Sequence, residues 1–421
     1  MFWRQEQHSP TIRNEPSIRR AAGILSALAL CVSIAGVNLP NPLVPLYAER
    51  FGLTPLLQSA LFSAYLLALL VTLIVTVARP AHAIRTEVTM VVVAMGVVVV
   101  ADLTMLAGSA SFALLVLGRV IAGVAAGSAT GAASAVALAG LGERSRTVAG
   151  TAAVVGALAA NLLGGLLGAA LPVPFPAVYL GHAAVAALIG AGLWGATTQH
   201  SQARRAHTSR ASRRTQPTPV AHPLAEVVGG YHRRHRVAGY ALGALAWSSA
   251  GIVLALVATQ VRHSRPELSL FETMIPGCVF LACAWLGQTV CARRMLQLRA
   301  WMTGLPLVVG SAGIGLALHS GNSAALLLAA AVAGLGQGPS YSLGLATVTH
   351  GLTPIRQARA ASTYAAVAYG VCGVCTLAVG VVANLIGVPD AILACAGIFA
   401  VGILVTVMLA GPAQRVHFAM A

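Results

Sequence analysis

The stretch Leu114–Gly131, LLVLGRVIAGVAAGSATG, carries one charge, Arg119, in an apolar run rich in small residues. A run of about 20 apolar residues is long enough to cross a bilayer as a helix. An arginine inside such a helix is expensive, and is tolerated where it faces a polar cavity or a partner. The stretch therefore predicts a membrane helix with one buried cation beside a polar pathway. The remaining chain agrees with it. Of 421 residues, 57% are hydrophobic and 9% charged, against about 25% charged in soluble domains.

Working outward, the apolar runs fall into twelve spans: 21–46, 55–78, 87–108, 112–140, 147–171, 177–197, 236–260, 271–292, 300–319, 323–350, 358–386 and 390–411. The first closes on NLPNPLVPLY, where Pro40, Pro42 and Pro45 leave backbone carbonyls without helical donors. Residues 1–20 read as a cytoplasmic tail. Residues 21–197 and 236–411 form two six-helix bundles, 198–235 is an arginine- and proline-rich linker, and 412–421 is a second tail. The fold class is an all-α polytopic membrane protein.

The formal charge is +16 and all 26 basic residues are arginine. Those arginines cluster in the tails, the linker and alternate loops, which sets both termini and the linker in the cytoplasm of a plasma (bacterial inner) membrane. Arg50, Arg262 and Arg265 are the exceptions. Placement in membrane loops argues against nucleic acid as the partner; the linker reads as topogenic and in contact with anionic lipid headgroups, with a nucleic-acid role as the alternative. The seven cysteines lie almost wholly in apolar runs and read as packing residues, including Cys372 and Cys375 of a CxxC. No catalytic set, cofactor motif or metal-ligand spacing is visible. Without lysine there is no nucleotide-binding P-loop, so the chain is not read as an enzyme or a nucleotide-driven pump.

A shift of 211 residues lays AGVAAG (Ala122–Gly127) on AGLGQG (Ala333–Gly338), and LGERSRTVAG (Leu141–Gly150) on LTPIRQARAA (Leu352–Ala361). One offset across two elements and the break between them predicts parallel repeats, with substrate near the midplane between the halves.

On these features the chain resembles the major facilitator superfamily. LGRVIAGVAAG, with Arg119 and Gly123, is similar to the fourth-helix pattern of proton-driven members. GALAANLLGG, Gly156 to Gly165, resembles the fifth-helix antiporter motif of drug exporters: Gly164 and Gly165 are in place, but Asn161 stands for its proline and Ala160 for a glycine. The loop VARPAHAIRTE supplies Arg79 and Arg85 but lacks the family's aspartate. The resemblance implies two pseudo-symmetric bundles working by alternating access, most like proton-coupled exporters of small organic molecules. An uptake symporter or uncoupled facilitator is the alternative within the fold; an intramembrane enzyme or a channel is the alternative outside it. A monomer is expected.

Depth counted at about 1.5 Å per residue puts Arg119, Asn38 and Asp102 in the outer half. Asp102 or Asn38 is expected to satisfy Arg119, and Asp102 to titrate. Arg119 either couples and gates or ties down the broken backbone of the first span. Asn41, Tyr65, Asn161, Trp247, Gln337, Tyr341 and Tyr364 are the candidates for lining the cavity, with Tyr369 beside them; packing or interhelical bonding is the alternative for each. Gly123, Gly156, Gly164 and Gly165 are expected to pack helices. Glu272 reads as a headgroup anchor, and His182 and His350 as span-end residues.

Overall fold

The computed structural model describes residues 11–77, 84–141, 144–208, 233–293, 297–352, 354–410 and 416–417. The first span is three pieces: α1 (Thr11–Asn38), a 3₁₀ turn (Asn41–Leu43) and α2 (Val44–Phe51). Pro40 and Pro42 have no N–H to give the carbonyls four residues back, and the α-ladder stops there. Then come α3 (Pro55–Val77), α4 (Ile84–Ala107), α5 (Phe112–Leu141), α6 (Arg144–Ala170) and α7 (Pro174–Thr208). The seventh span also changes mid-membrane, from α8 (Arg233–Ile252) through a π-helical turn (Val253–Val257) into α9 (Ala258–Ser264). Helices α10 (Leu270–Arg293), α11 (Ala300–Ser320), α12 (Ser323–Thr349), α13 (Pro354–Ile386) and α14 (Val388–Ala410) complete it. Among the described residues eleven stretches are long and apolar enough to cross a membrane, and α6 adds the apolar stretch Val154–Ala170.

Several boundaries differ from the sequence reading, among them that α8 starts at Arg233, inside the expected linker, and that the first span runs on to Phe51. Helix α1 starts at Thr11, inside the expected tail; α7 runs to Thr208, inside the expected linker; and Gln297–Leu298 pairs antiparallel with Val416–His417 of the C-terminal tail. Hydropathy marks where hydrocarbon ends, and a helix need not stop there. Residues 1–10, most of the linker (209–232) and Arg79 lie outside the described residues, as does the side chain of Arg85.

The two halves repeat each other's neighbours. In the first, α5 packs on α1, α3 and α4, while α7 packs on α1 and α4 and α6 on α1. In the second, α12 packs on α8, α10 and α11, while α14 packs on α8 and α11 and α13 on α8. The glycines explain the register. Gly123 lies against the Tyr65 carbonyl of α3 and Gly127 against Thr72, too close for any side chain; Gly334 and Gly338, 211 residues on, lie in the same way against the Phe280 and Ala284 carbonyls of α10. Small residues let backbones meet where lipid supplies no hydrophobic force between helices. The seam between halves is α3 on α13 and α6 on α10, a pair the repeat maps onto itself.

Candidate functional site

Arg119 is 1% exposed and held entirely within the first half. Its Nε donates to the Leu61 carbonyl (3.0 Å), one Nη to the Val37 carbonyl and the other to Asn41 Oδ1 (3.4 Å). The guanidinium also lies over the Tyr65 ring, 4.4 Å from its centroid, with Phe62 at 5.8 Å. Cation–π contact and hydrogen bonds to oxygen stand in here for hydration. Among the described residues no carboxylate pairs with it. The expectation that Asp102 or Asn38 satisfies Arg119 is therefore corrected. Asn38 donates to its own helix at Ile34 and accepts from Asn41. The partners are the backbone at the end of α1, just before Pro40, and a carbonyl of α3. These are the bonds of a tie to the broken first span.

Asp102 has a different partner. Its Oδ2 is 2.7 Å from His182 Nδ1, and His182 Nε2 is 3.0 Å from the Val32 carbonyl. Asp102 is fully enclosed, and among the described residues its Oδ1 has no hydrogen-bond partner. The protonation state follows from the acceptors. A carbonyl can only accept, so Nε2 carries a proton. Nδ1 and Oδ2 must share another, either as imidazolium and carboxylate or as neutral ring and carboxylic acid. Both forms have zero net charge. Removing the shared proton turns a carboxylate toward a nitrogen lone pair; adding one puts a hydroxyl on the enclosed Oδ1. The dyad is a neutral group: losing the shared proton costs the Nδ1–Oδ2 hydrogen bond, and gaining one leaves a buried hydroxyl without an acceptor.

Sequence reasoning missed His182, which sits 80 positions from Asp102 and near a helix end. The glycine that admits it is Gly36 of α1, where a Cβ would stand 2.8 Å from the ring. One turn earlier on α7, Tyr179 OH meets Tyr47 OH of α2 at 2.9 Å, and Phe175 stacks on Tyr47.

The cavity candidates separate. Asn41 and Tyr65 are enclosed around Arg119, and Asn161 donates to Ala157 in its own helix. Tyr364 is fully buried in a slot made by Gly243 and Gly344, its hydroxyl on the Tyr341 carbonyl (2.6 Å). Gln337 is buried in α12. Trp247 and Tyr341 do come together, joined by Tyr369: the indole centroid is 5.9 Å from Tyr341 and 4.7 Å from Tyr369. Of the packing glycines, Gly156 lies on the Cys31 carbonyl of α1, Gly164 on Pro42 at the broken turn, and Gly165 on Met274 of the other half.

At the end away from the chain termini the halves are latched. Arg262 donates to Glu49 (2.9 Å) and to the Leu268 carbonyl, and Asn384 accepts from the Leu56 N–H (3.1 Å). Arg265 donates to Ser323 (2.6 Å), so two of the three exceptional arginines have partners. Glu272 caps the start of α10 through Ser269. Among the described residues no three His, Cys, Asp or Glu side chains are grouped to hold a metal.

The sequence profile of the Major Facilitator Superfamily matches residues 26–376. The chain belongs to that superfamily. It is an integral membrane protein of the major facilitator fold, and that membership makes it a transporter. The solved nucleoside transporter NupG is similar over 93% of this chain and 98% of its own, at 12% identity and a TM-score of 0.66. A bacterial homolog of the human lysosomal transporter Spinster, solved inward-facing and unoccupied, covers 93% and 97% at 13% identity with a TM-score of 0.68. At such identity the likeness is one of fold. No curated protein matches the sequence.

Proposed function

We propose that this major facilitator protein is a proton-coupled secondary transporter that exports small organic molecules by alternating access, with Asp102–His182 as its proton site. The observation that carries the reading is the dyad. It is enclosed and overall neutral, and it is wired by Val32 to the helix that also holds Arg119 through Val37. Loss of the shared proton breaks the Nδ1–Oδ2 bond and frees His182 from between α4 and α1. Protonation and helix position are thereby linked. Arg119 acts as a positioning residue, holding the broken span against α3.

Export is supported by the antiporter-like stretch, whose glycines seat α6 on the broken turn and on the other half. With both termini cytoplasmic, the latched face looks outward and the conformer is closed to the outside. One chain supplies both halves, so a monomer suffices, in a bacterial inner membrane.

The test uses everted membrane vesicles with a respiration-generated pH gradient followed by a quenched dye. Candidate substrates that dissipate the gradient identify proton-coupled export. Asp102→Asn and His182→Gln should each abolish that dissipation while substrate exchange without a gradient persists. Dissipation at the wild-type rate in both variants would remove the dyad from coupling.

A further inference from the structure

We infer that the second half recognises substrate through an aromatic wall formed by Trp247, Tyr341 and Tyr369, and that the wall takes a neutral, planar molecule bearing a hydrogen-bond acceptor. The inference rests on the transport reading above and names its substrate class.

Three observations carry it. The first is where the rings are open. Trp247, Tyr341 and Tyr369 are only partly buried at or near mid-membrane, yet α8, which bears Trp247, belongs to the most enclosed span. Its most apolar window is 83% buried, against 33–56% in the other ten spans. The free face of Trp247 therefore opens into the bundle and not toward lipid. It lies beside the seam, where Phe62 of α3 meets Gly251 one turn further along α8, and where Ser63 donates to the Gly373 carbonyl of α13 (2.8 Å).

The second is geometry. The indole stands at 86° to Tyr341 and 72° to Tyr369. Two near-perpendicular walls offer a flat ring one face to stack on and one edge to meet, the arrangement aromatic quadrupoles prefer. The Trp247 Nε1 is enclosed, makes no regular hydrogen bond among the described residues and interacts with the Tyr341 side chain, so a guest's acceptor would meet it where that side chain gives way. Tyr364 is not part of this surface: it is a packed strut behind it.

The third is charge. Helices α8, α12 and α13 contain no aspartate or glutamate. A cationic guest would find rings but no counter-charge, with Arg119 only 4.4 Å behind the Tyr65 ring. An anionic guest would find Arg119 enclosed and already bonded to three oxygens. Among the described residues the enclosed Asp102 is paired with His182. A neutral guest loses nothing on entering such a site, whereas an unpaired charge is penalised heavily.

The test is equilibrium binding to the purified full chain in lipid nanodiscs, with four probes: naphthalene-2-carboxamide, naphthalene-2-carboxylate, 2-naphthylmethylammonium and cyclohexanecarboxamide. The naphthyl amide should bind at least about tenfold tighter than the other three. Trp247→Phe, which keeps a ring but removes the N–H, should weaken it about fivefold. Trp247→Leu should weaken it at least about tenfold, and Trp301→Leu, at an exposed ring on α11, should leave it unchanged. Equal affinity for a charged probe, no binding of the amide at millimolar concentration, or binding indifferent to Trp247→Leu would each overturn the inference. Binding needs no gradient, so it is independent of the proton reading. Loss of coupling with this selectivity intact faults the dyad alone; loss of selectivity with coupling intact faults the wall alone.

Discussion

Replacing Gly36 by alanine separates stability from coupling. The added methyl would stand 2.8 Å from His182 Cε1, whereas carbon atoms settle about 3.5–4.0 Å apart. The ring must therefore retreat by roughly 0.7 Å or more. It is held at 2.7 Å from Asp102 and 3.0 Å from the Val32 carbonyl, so a shift of that size takes at least one bond beyond the usual range of about 2.7–3.2 Å. Losing a hydrogen bond to a charged group removes roughly 1.5–3 kcal/mol. Against this, alanine gains about 1 kcal/mol over glycine inside a helix. Net stability should fall by no more than about 2 kcal/mol, and the protein should still insert and bind. Gradient-driven transport should fall at least about tenfold, the factor for the lower end of that loss. Proteoliposomes with an imposed pH gradient, compared with gradient-free exchange in the same preparation, measure the two effects separately. If Gly36→Ala transports at the wild-type rate under a gradient, the ring position does not govern coupling and the reasoning from the dyad fails.

Gly123→Ala and Gly334→Ala should each destabilise the protein by about 1–3 kcal/mol through overpacking, read as matched losses in denaturant unfolding in detergent; a neutral result at one of them would mean that the repeat is not shared in packing. Arg119→Lys keeps the charge but not the fork that reaches Leu61, Val37 and Asn41, and transport should drop at least about tenfold with normal membrane insertion; near-normal rates in vesicles would deny Arg119 its positioning role. Glu49→Gln breaks an ion pair whose partners are 24% and 52% exposed, so stability should change by less than about 1 kcal/mol. Spin-label distances across the outer ends of α2 and α9 should nonetheless show up to about fivefold more separated conformers, and an unchanged distribution would show that the pair is no latch.

The spans were legible because hydrocarbon punishes charge, and the arginines punctuate them with little ambiguity. The repeat was legible at Gly123 and Gly127 because backbone contact accepts no other residue, so the same letters return at Gly334 and Gly338. The interior chemistry was less so. Depth counted along helices places Asp102 and Arg119 together but carries no azimuth, and these two side chains leave their helices toward different neighbours. Asp102 turns to α7, where His182 waits; Arg119 turns to α1 and α3. The prolines at 40 and 42 were the usable signal for Arg119, since they announce free carbonyls. For His182 the signal was Gly36, unreadable without knowing which helix crosses there. Trp247 and Tyr341 were recoverable as aromatics at mid-span, whereas Tyr364, of the same type, fills a slot between two glycines that no composition reveals.

The halves share their packing but not their chemistry, and this bears on how coupling can work. Helix α12 carries Ala330 where α5 carries Arg119, no acid lies within α11 as Asp102 lies within α4, and α14 contains no histidine. The enclosed charged groups thus belong to one half and the open aromatic surface to the other; the second half's own pair, His319 and Asp390 at 2.7 Å between α11 and α14, is about half exposed. A proton cannot act on substrate by direct contact across that division; it must act by moving one half against the other. The contacts for that are in place: His182 holds α1 at Val32, Arg119 holds α1 at Val37 and lies on Tyr65, and Phe62 of the same helix packs on Gly251, one turn from Trp247. Each is a contact that rocking at the α3–α13 seam would remake. In Gly251→Ala the methyl would stand against Thr376 Oγ1 and 2.6 Å from Cys372 Sγ, both of α13, and 3.3 Å from Phe62 of α3, straining this seam without touching the dyad. If coupling runs this way, that variant should leave proton binding near wild type and still uncouple transport. Coupled transport at full rate in that variant would mean that the proton and the substrate communicate by some route other than this seam.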